Sequence, residues 1–521
     1  MTPSRFAHCL LIACASALAP ATPLVHAAPA DTARAAAWFD AHTSRSTLLR
    51  QFLQRMPKGA DLHSHLTGAV YAEDYLAWAA EDEACVDLQT LRFGKGCGTD
   101  GPSVPMRNLS ASGHAATYGA LVDRMSTRDL ATAGRSGHDQ FFDAFSHFPP
   151  DMYGAPRVAA MAAELRDRAA ADHVLHLELM STLQRDAVVK LADKLPWAQE
   201  TDLARRWQWL RDQGLDSIVE AARHDLDALD AEQAQQLRCG TPAARPGCEV
   251  SLRWLQQSTR TSTPERVFAQ LAFATALSSA DPRVAGINLV APEDHEVALR
   301  DYALQMQMVG FLAQRHPKAG IALHAGELAL GLVPPEHLRS HIRDAVLVAG
   351  ARRIGHAVDI AHEDGALQTL ATMRQRRVAV EVCLTSNDTI LGVKGRDHPL
   401  PDYLAAGVPV VLASDDAGIS RIDLSNEYLR AAREHGLRYP QLKQLSRNSL
   451  EYSFLPGASL WQDAGRARAV DACRRDVPTG RPLSTGCKDY LAGSEKAARQ
   501  WALEAAFDAF EALPEWRGEG R

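Results

Sequence analysis

The chain has 521 residues, 46% of them hydrophobic and 23% charged, an ordinary globular composition with enough apolar side chains to bury a large core in one big domain or two ordinary ones. Its formal net charge is −7, from 56 basic against 63 acidic residues. No run of basic residues interleaved with aromatics occurs, so duplex nucleic acid is excluded as a partner and a free small molecule is the better fit.

The opening segment MTPSRFAHCLLIACASALAPATPLVHAAPA carries Arg5 in a short n-region, an apolar stretch centred on CLLIACASALA, and a Val25-His26-Ala27 ending suited to signal peptidase. Residues 1–27 are therefore expected to be a removed export signal. The LIAC ending at Cys14 resembles a lipobox, but the apolar run before it is too short for lipid anchoring. Nothing downstream offers the roughly 18 uninterrupted apolar residues of a membrane span, so the exported protein is expected to be periplasmic or secreted. Export sets the reading of the cysteines. Of the seven beyond the signal, six fall into close pairs, 85 with 97, 239 with 248 and 473 with 487, which an oxidising compartment would join as local disulfides. Cys383, inside VAVEVCL, reads as a core thiol.

Residues 28–55 are expected to form a helical extension, with DTARAAAWFDAHTSRSTLLRQFLQR (31–55) as one leading helix. From residue 56 onward short β-rich runs alternate with longer helical patterns. The runs are GADLHSH (59–65), HVLHLELM (173–180), CEVSLRWL (248–255), VAGINLV (284–290), GIALHA (320–325), RIGHA (353–357), RVAVEVCL (377–384) and VPVVLAS (408–414). Several are nearly continuous in apolar residues, as strands covered on both faces are, and eight is the number that closes a barrel; the expectation is an α/β fold, a (β/α)8 barrel over residues 56–460. An open doubly wound sheet is the alternative, but no GxGxxG or GxxxxGK[ST] loop immediately follows the first strand. Residues 85–150 read as an insertion after that strand, with the glycine-rich GKGCGTDGPSVP followed by helical YGALVDRM and HDQFFDAFSHF. Residues 461–521 read as a C-terminal helical segment containing SEKAARQWALEAAFDAFEAL. Asn108-Leu109-Ser110 is a glycosylation sequon with meaning only in a eukaryotic secretory route.

Residues two apart on a strand share a face, so His63 and His65 would project together from the barrel mouth. An HxH pair alone is more often a packing feature than a metal site. Here it recurs with His324 and Glu327 at the fifth strand, His356 at the sixth, and Asp415 with Asp416 at the eighth. All fall at C-terminal strand ends, where barrel enzymes assemble their sites. Any one of them could be a satisfied core group, and Asp416 could merely cap the next helix; the coincidence at matching ends carries the expectation. Three imidazoles and a carboxylate suit a borderline divalent cation such as Zn²⁺ with one position left for water, so His63, His65, His324 and Asp415 are the expected ligands of one ion per chain.

PKGADLHSHLTGA, LHAGE, RIGHAV, VEVCLTSN, LASDDAG and RNSLEYSFLPG, in this order over roughly residues 56–456, together resemble the adenosine deaminase family. VAGINLVAPED, the leader and the cysteine pairs look most like its secreted, growth-factor-type branch or the bacterial relatives of that branch. The resemblance implies zinc-dependent hydrolytic deamination of adenosine or 2′-deoxyadenosine to the inosine product and ammonia. It also implies roles that the chemistry requires: Glu327 protonating N1, His356 orienting the attacking water and accepting its proton, Asp416 holding the nucleophile or N7. Zinc lowers the pKa of bound water from about 15.7 to about 7, on the order of 12 kcal/mol, against about 3–5 kcal/mol for a positioned acid or base, so the metal dominates.

Two substrate-facing positions depart from the family pattern. Thr67 stands at the ribose end where members commonly carry Asp, and Ala291 stands where a glycine backbone usually approaches the purine. Pro292 follows and supplies no N–H donor. The usual proline after the paired aspartates is Ala417, a tolerable change. Thr67 and Ala291 leave open a deaminase of another 6-aminopurine, such as adenine or a 5′-modified adenosine. A non-catalytic extracellular nucleoside-binding protein is the alternative from another class, although a pure binder has no need of Glu327, His356 and Asp416. Cytidine-type zinc deaminases are excluded because no PCxxC occurs, and zincin-type proteases because DHEVA (294–298) lacks the second histidine.

Overall fold

The parallel strands follow one another around a single sheet in chain order: β1 (Gly59–His65), β2 (Val174–Ser181), β3 (Ser251–Thr259), β4 (Val284–Val290), β5 (Gly320–Ala325), β6 (Arg353–His356), β7 (Ala379–Val382) and β8 (Val410–Leu412). This computed structural model describes residues 29–94, 97, 102–109, 112–130, 134–479 and 482–517; the expected export signal lies outside them. The first and last strands meet just beyond β8, where Asp415 donates its N–H to the His63 carbonyl at 2.8 Å and accepts from the His65 N–H at 3.2 Å. The architecture is the expected (β/α)8 barrel. Strands β5 to β8 are buried along their whole length, because helices cover the outside and side chains fill the inside, so continuous apolar runs such as VVL form them.

Three strands, β1, β4 and β5, have the bounds read from the sequence. The third begins later, at Ser251, because residues 246–249 turn in a 3₁₀ segment around the Cys239–Cys248 disulfide. The seventh stops at Val382, where Cys383 leads directly into helix Leu384–Leu391.

The leading helix is two helices, α1 (Pro29–Ala41) and α2 (Ser46–Arg55). Thr43 turns its hydroxyl back to the Asp40 carbonyl at 3.3 Å, the local competition with helical bonding that hydroxyl side chains offer. Phe52 packs edge-on against Phe39 of α1 and against Tyr439 and Phe510 of α3 (Tyr439–Glu451) and α4 (Glu495–Glu511). These helices cover the end of the barrel where the strands begin: Ala60 donates its N–H to Ser449 Oγ at 2.6 Å.

The insertion holds helices Ala115–Arg124 and Gly137–Ala144, and also a small antiparallel sheet of Cys85–Asp87, Phe93–Gly94 and Ser103–Pro105 that the sequence reading did not anticipate. The three cysteine pairs are joined, with Cα–Cα separations of 5.3, 5.6 and 4.6 Å, and Cys383 is a buried free thiol. Among the described residues no helix is long and apolar enough to cross a membrane.

Candidate active site

The C-terminal strand ends bring four side chains to one point. His63 Nε2 lies 3.1 Å from His324 Nε2, and His65 Nε2 lies 3.2 Å from the same atom. Asp415 Oδ1 is 3.4 Å from His63 Nε2 and 3.3 Å from His65 Nε2. Asp415 reaches this place with φ at 56°, a left-handed conformation that a non-glycine residue keeps only when its surroundings enforce it. The bridge to β1 is what enforces it.

Each imidazole is fixed from behind by an oxygen. His63 Nδ1 is 2.6 Å from Glu381 Oε2, His65 Nδ1 is 2.9 Å from Gln257 Oε1, and His324 Nδ1 is 2.8 Å from Asn288 Oδ1. Those acceptors hold the proton on Nδ1 and turn three Nε2 lone pairs toward one another and toward a carboxylate oxygen that has no hydrogen-bond partner of its own among the described residues. Such an arrangement repels itself unless a cation sits within it. The electrostatics agree. Burial opposes a charge on His63, yet Asp415 and Glu381 outweigh it and lift the ring to about 10, so the carboxylates draw positive charge to the point where the Nε2 atoms meet. Burial and the neighbouring imidazoles hold His324 well below its ordinary value. A tetrahedral-preferring divalent ion fits this donor set, with His63, His65, His324 and Asp415 as its holders.

Behind the site a buried row of charges continues down the barrel. Arg353 bonds Glu381 through Nε and Glu178 through Nη2, the latter at 2.6 Å, and all three are fully buried.

Three further groups border the cluster. Glu327 follows β5, and burial, then the charges of Asp415 and Glu293, hold its carboxyl well above the usual range, which favours the protonated acid. Its backbone is clamped: the N–H groups of Gly326 and Glu327 donate to the two oxygens of buried Glu293 at 3.1 and 2.9 Å. His356 ends β6 with φ at 66° and turns Nε2 to within 3.6 Å of Glu327 Oε1. Burial lowers it to about 3, keeping the ring neutral. Asp416 is not a helix cap, since its side chain makes no capping bond to Ala417–Ser420. Burial raises it to about 7, and its Oδ1 has no hydrogen-bond partner among the described residues.

A cavity of about 890 Å³ opens onto Glu327 and Asp416 and is lined also by His65, Thr67, Ala291 and Asp415, with Phe141, Phe142 and Phe145 contributed by the insertion and Tyr153 just after it. All nine residues singled out in the sequence therefore stand at this site. Ala291 has φ at 85°, the conformation that favours the glycine usual in the resembled family. The supporting residues Glu381, Gln257, Asn288 and Glu293 were not anticipated. Their signal was a polar residue set within an apolar strand or just past its end, which must find a buried partner.

The model of the adenosine deaminase family matches residues 219–460, a span that holds His324, Glu327, His356, Asp415 and Asp416 but begins after β1. An adenosine deaminase from Shewanella loihica is 34% identical over 174 residues, which is 32% of this chain and 49% of that protein. An aminodeoxyfutalosine deaminase from Streptomyces coelicolor is 39% identical over 129 residues, 25% of this chain and 31% of that protein. The matches thus span about half or less of these curated relatives. Among solved structures, the apo N6-methyl-AMP deaminase from Arabidopsis thaliana has a TM-score of 0.50 at 20% identity, covering 78% of this chain and 94% of that one, a likeness of fold alone. Over residues 219–460 the chain is thus similar to the adenosine deaminase family, and the curated relatives that it resembles in part are deaminases.

Proposed function

We propose that the protein is an exported zinc-dependent aminohydrolase that converts adenosine or 2′-deoxyadenosine to the inosine product and ammonia. One observation carries the reading: three imidazole Nε2 atoms and a carboxylate oxygen converge at the edge of a cavity lined by Glu327, whose carboxyl is held well above the usual range. The ion, when bound, supplies the Lewis acidity that makes water a nucleophile at neutral pH. The chain's own residues do the rest. Glu327 gives its proton to N1 as water adds at C6, His356 orients that water, and Asp416 accepts a hydrogen bond from it or, as the acid, donates one to N7. The aromatic side chains of the insertion exclude bulk solvent from the cavity, which strengthens each of these contacts. The three disulfides support an oxidising compartment, and with it export.

A second reading, a deaminase of adenine or a 5′-modified adenosine, is favoured by uncharged Thr67 and by Pro292, which lacks an N–H where the purine edge would be read. Ammonia release from adenosine, 2′-deoxyadenosine, adenine and AMP, with and without chelator, separates the two. The expected result is turnover of the first two, abolished by chelation and restored by zinc. Turnover of adenine alone would move the assignment to the second reading, and ammonia from none would leave a binding protein.

A further inference from the structure

We propose that Asn387 and His398 are positioning residues that fix the proton of His356 on Nε2, so that His356 meets the attacking water as a hydrogen-bond donor and not as a base. The inference rests on the deaminase reading of the site for its consequence, but on hydrogen-bond logic alone for its geometry.

The chain of bonds starts at a group with no freedom. The backbone N–H of Leu400 can only donate, and it lies 3.1 Å from His398 Nδ1, which must therefore be unprotonated. The proton of His398 is then on Nε2, 3.0 Å from Asn387 Oδ1. Asn387 turns its amide nitrogen to His356 Nδ1, also at 3.0 Å. The reversed amide would set its own N–H against the N–H of His398, so the orientation is dictated by the backbone. His356 Nδ1 accepts, and its single proton sits on Nε2, the nitrogen that faces Glu327. His356, Asn387 and His398 are 1%, 0% and 2% exposed, so no solvent competes for these bonds.

The consequence departs from the expectation that His356 takes the proton of the water. A nitrogen that already carries hydrogen can orient the water oxygen and stabilise negative charge developing on it. The proton released as the water oxygen bonds to C6 must go to an oxygen, and the partnerless Oδ1 of Asp416 in the same cavity is placed to receive it. That proton then leaves on the amino nitrogen as the C6–N bond breaks and ammonia departs, while the remaining proton of the water leaves the C6 oxygen as C6=O forms and restores the Glu327 acid.

The test uses zinc-loaded full-length protein with ring-¹⁵N-labelled histidines, the His356 signals being assigned by their loss in His356→Gln. The wild-type spectrum is expected to show His356 protonated at Nε2 and bare at Nδ1. Asn387→Asp places an acceptor against Nδ1, and is expected to move the proton there and to lower kcat by about 10²-fold with zinc content and KM little changed. His398→Gln, which keeps a donor toward Asn387, is expected to lower kcat far less than His398→Phe. A wild-type His356 protonated at Nδ1, or an Asn387→Asp enzyme with full kcat, overturns the proposal. The wild-type spectrum decides even if a variant does not fold. Absence of any ammonia release with the expected spectrum would instead count against the deaminase reading.

Discussion

At position 68 the site admits no side chain: a Cβ on Gly68 would lie 1.5 Å from Asp416 Oδ1. Gly68→Ala must push the carboxyl group aside, and a displacement of about 1 Å at a reacting centre costs on the order of 10²-fold in rate. The expected outcome is that loss in kcat/KM with zinc content unaltered; a fully active Gly68→Ala enzyme would mean that Asp416 has no fixed part in the chemistry. Glu327→Gln removes the proton meant for N1 and keeps the shape, so kcat should fall by about 10²- to 10⁴-fold while zinc stays bound. Glu381 acts at one remove, through His63 Nδ1 at 2.6 Å. Its replacement by Gln also strips buried Arg353 of one of its two carboxylates. Zinc affinity, read by chelator competition, should drop about 10- to 100-fold, and more than any change in KM.

Strand ends made most of the fold and the proposed ligand set legible, because a barrel buries both faces of each strand and leaves polar groups mainly where a strand runs out into the mouth. His63, His65, His324 and Asp415 all lie at such ends and are named by position as much as by type. Their supports were hidden for the complementary reason. Glu381 inside AVEV interrupts a run that otherwise reads as core, and its partners His63 and Arg353 come from other strands, so nothing local marks it as a metal-site residue. The insertion's sheet has strands of three, two and three residues, too short for alternation to register. The break between α1 and α2 rests on one polar turn within an otherwise helical composition. The C-terminal segment carries its own small core of Leu460, Cys473, Cys487 and Ala497, set against α4 at the barrel end remote from the site. Its disulfide closes a loop with a sequence separation of 14, worth about 3 kcal/mol in chain entropy. The double variant Cys473→Ser, Cys487→Ser should lower the unfolding midpoint while leaving kcat unchanged; a loss of kcat at full zinc content would reveal coupling between the two ends of the barrel.

Across the whole molecule, buried carboxylates divide into two sets with opposite effects on stability. Glu178 and Glu293 are held at about 2 against the pull of burial, the first by Arg353 and the second by His341 and Arg260. With folded values below the ordinary 4.5, they contribute stability that is present above pH 4.5 and lost as pH falls through about 2. Glu363 and Glu427 are raised by burial to about 7, hydrogen bonds from Arg343 and Ile342 or from Thr385 compensating only in part. Their sign is reversed: the stability they contribute is fully present below pH 4.5 and lost as pH rises through about 7, about 3 kcal/mol for each fully buried group. The fold should therefore weaken between about pH 5 and pH 8, although metal binding tightens over the same range as imidazoles lose their protons. Comparing one variant with the parent chain at equal zinc occupancy separates these opposing trends. Glu427 is fully buried in the helix Leu424–Glu434, bonded to the Thr385 hydroxyl and backbone N–H and remote from solvent. Glu427→Gln mimics the protonated acid at every pH, so its denaturant midpoint should match the parent near pH 5 and exceed it near pH 8 by the equivalent of about 3 kcal/mol. Parallel curves for the two proteins would mean that Glu427 ionises in the fold as readily as in the unfolded chain, and that the Thr385 bonds offset its burial completely.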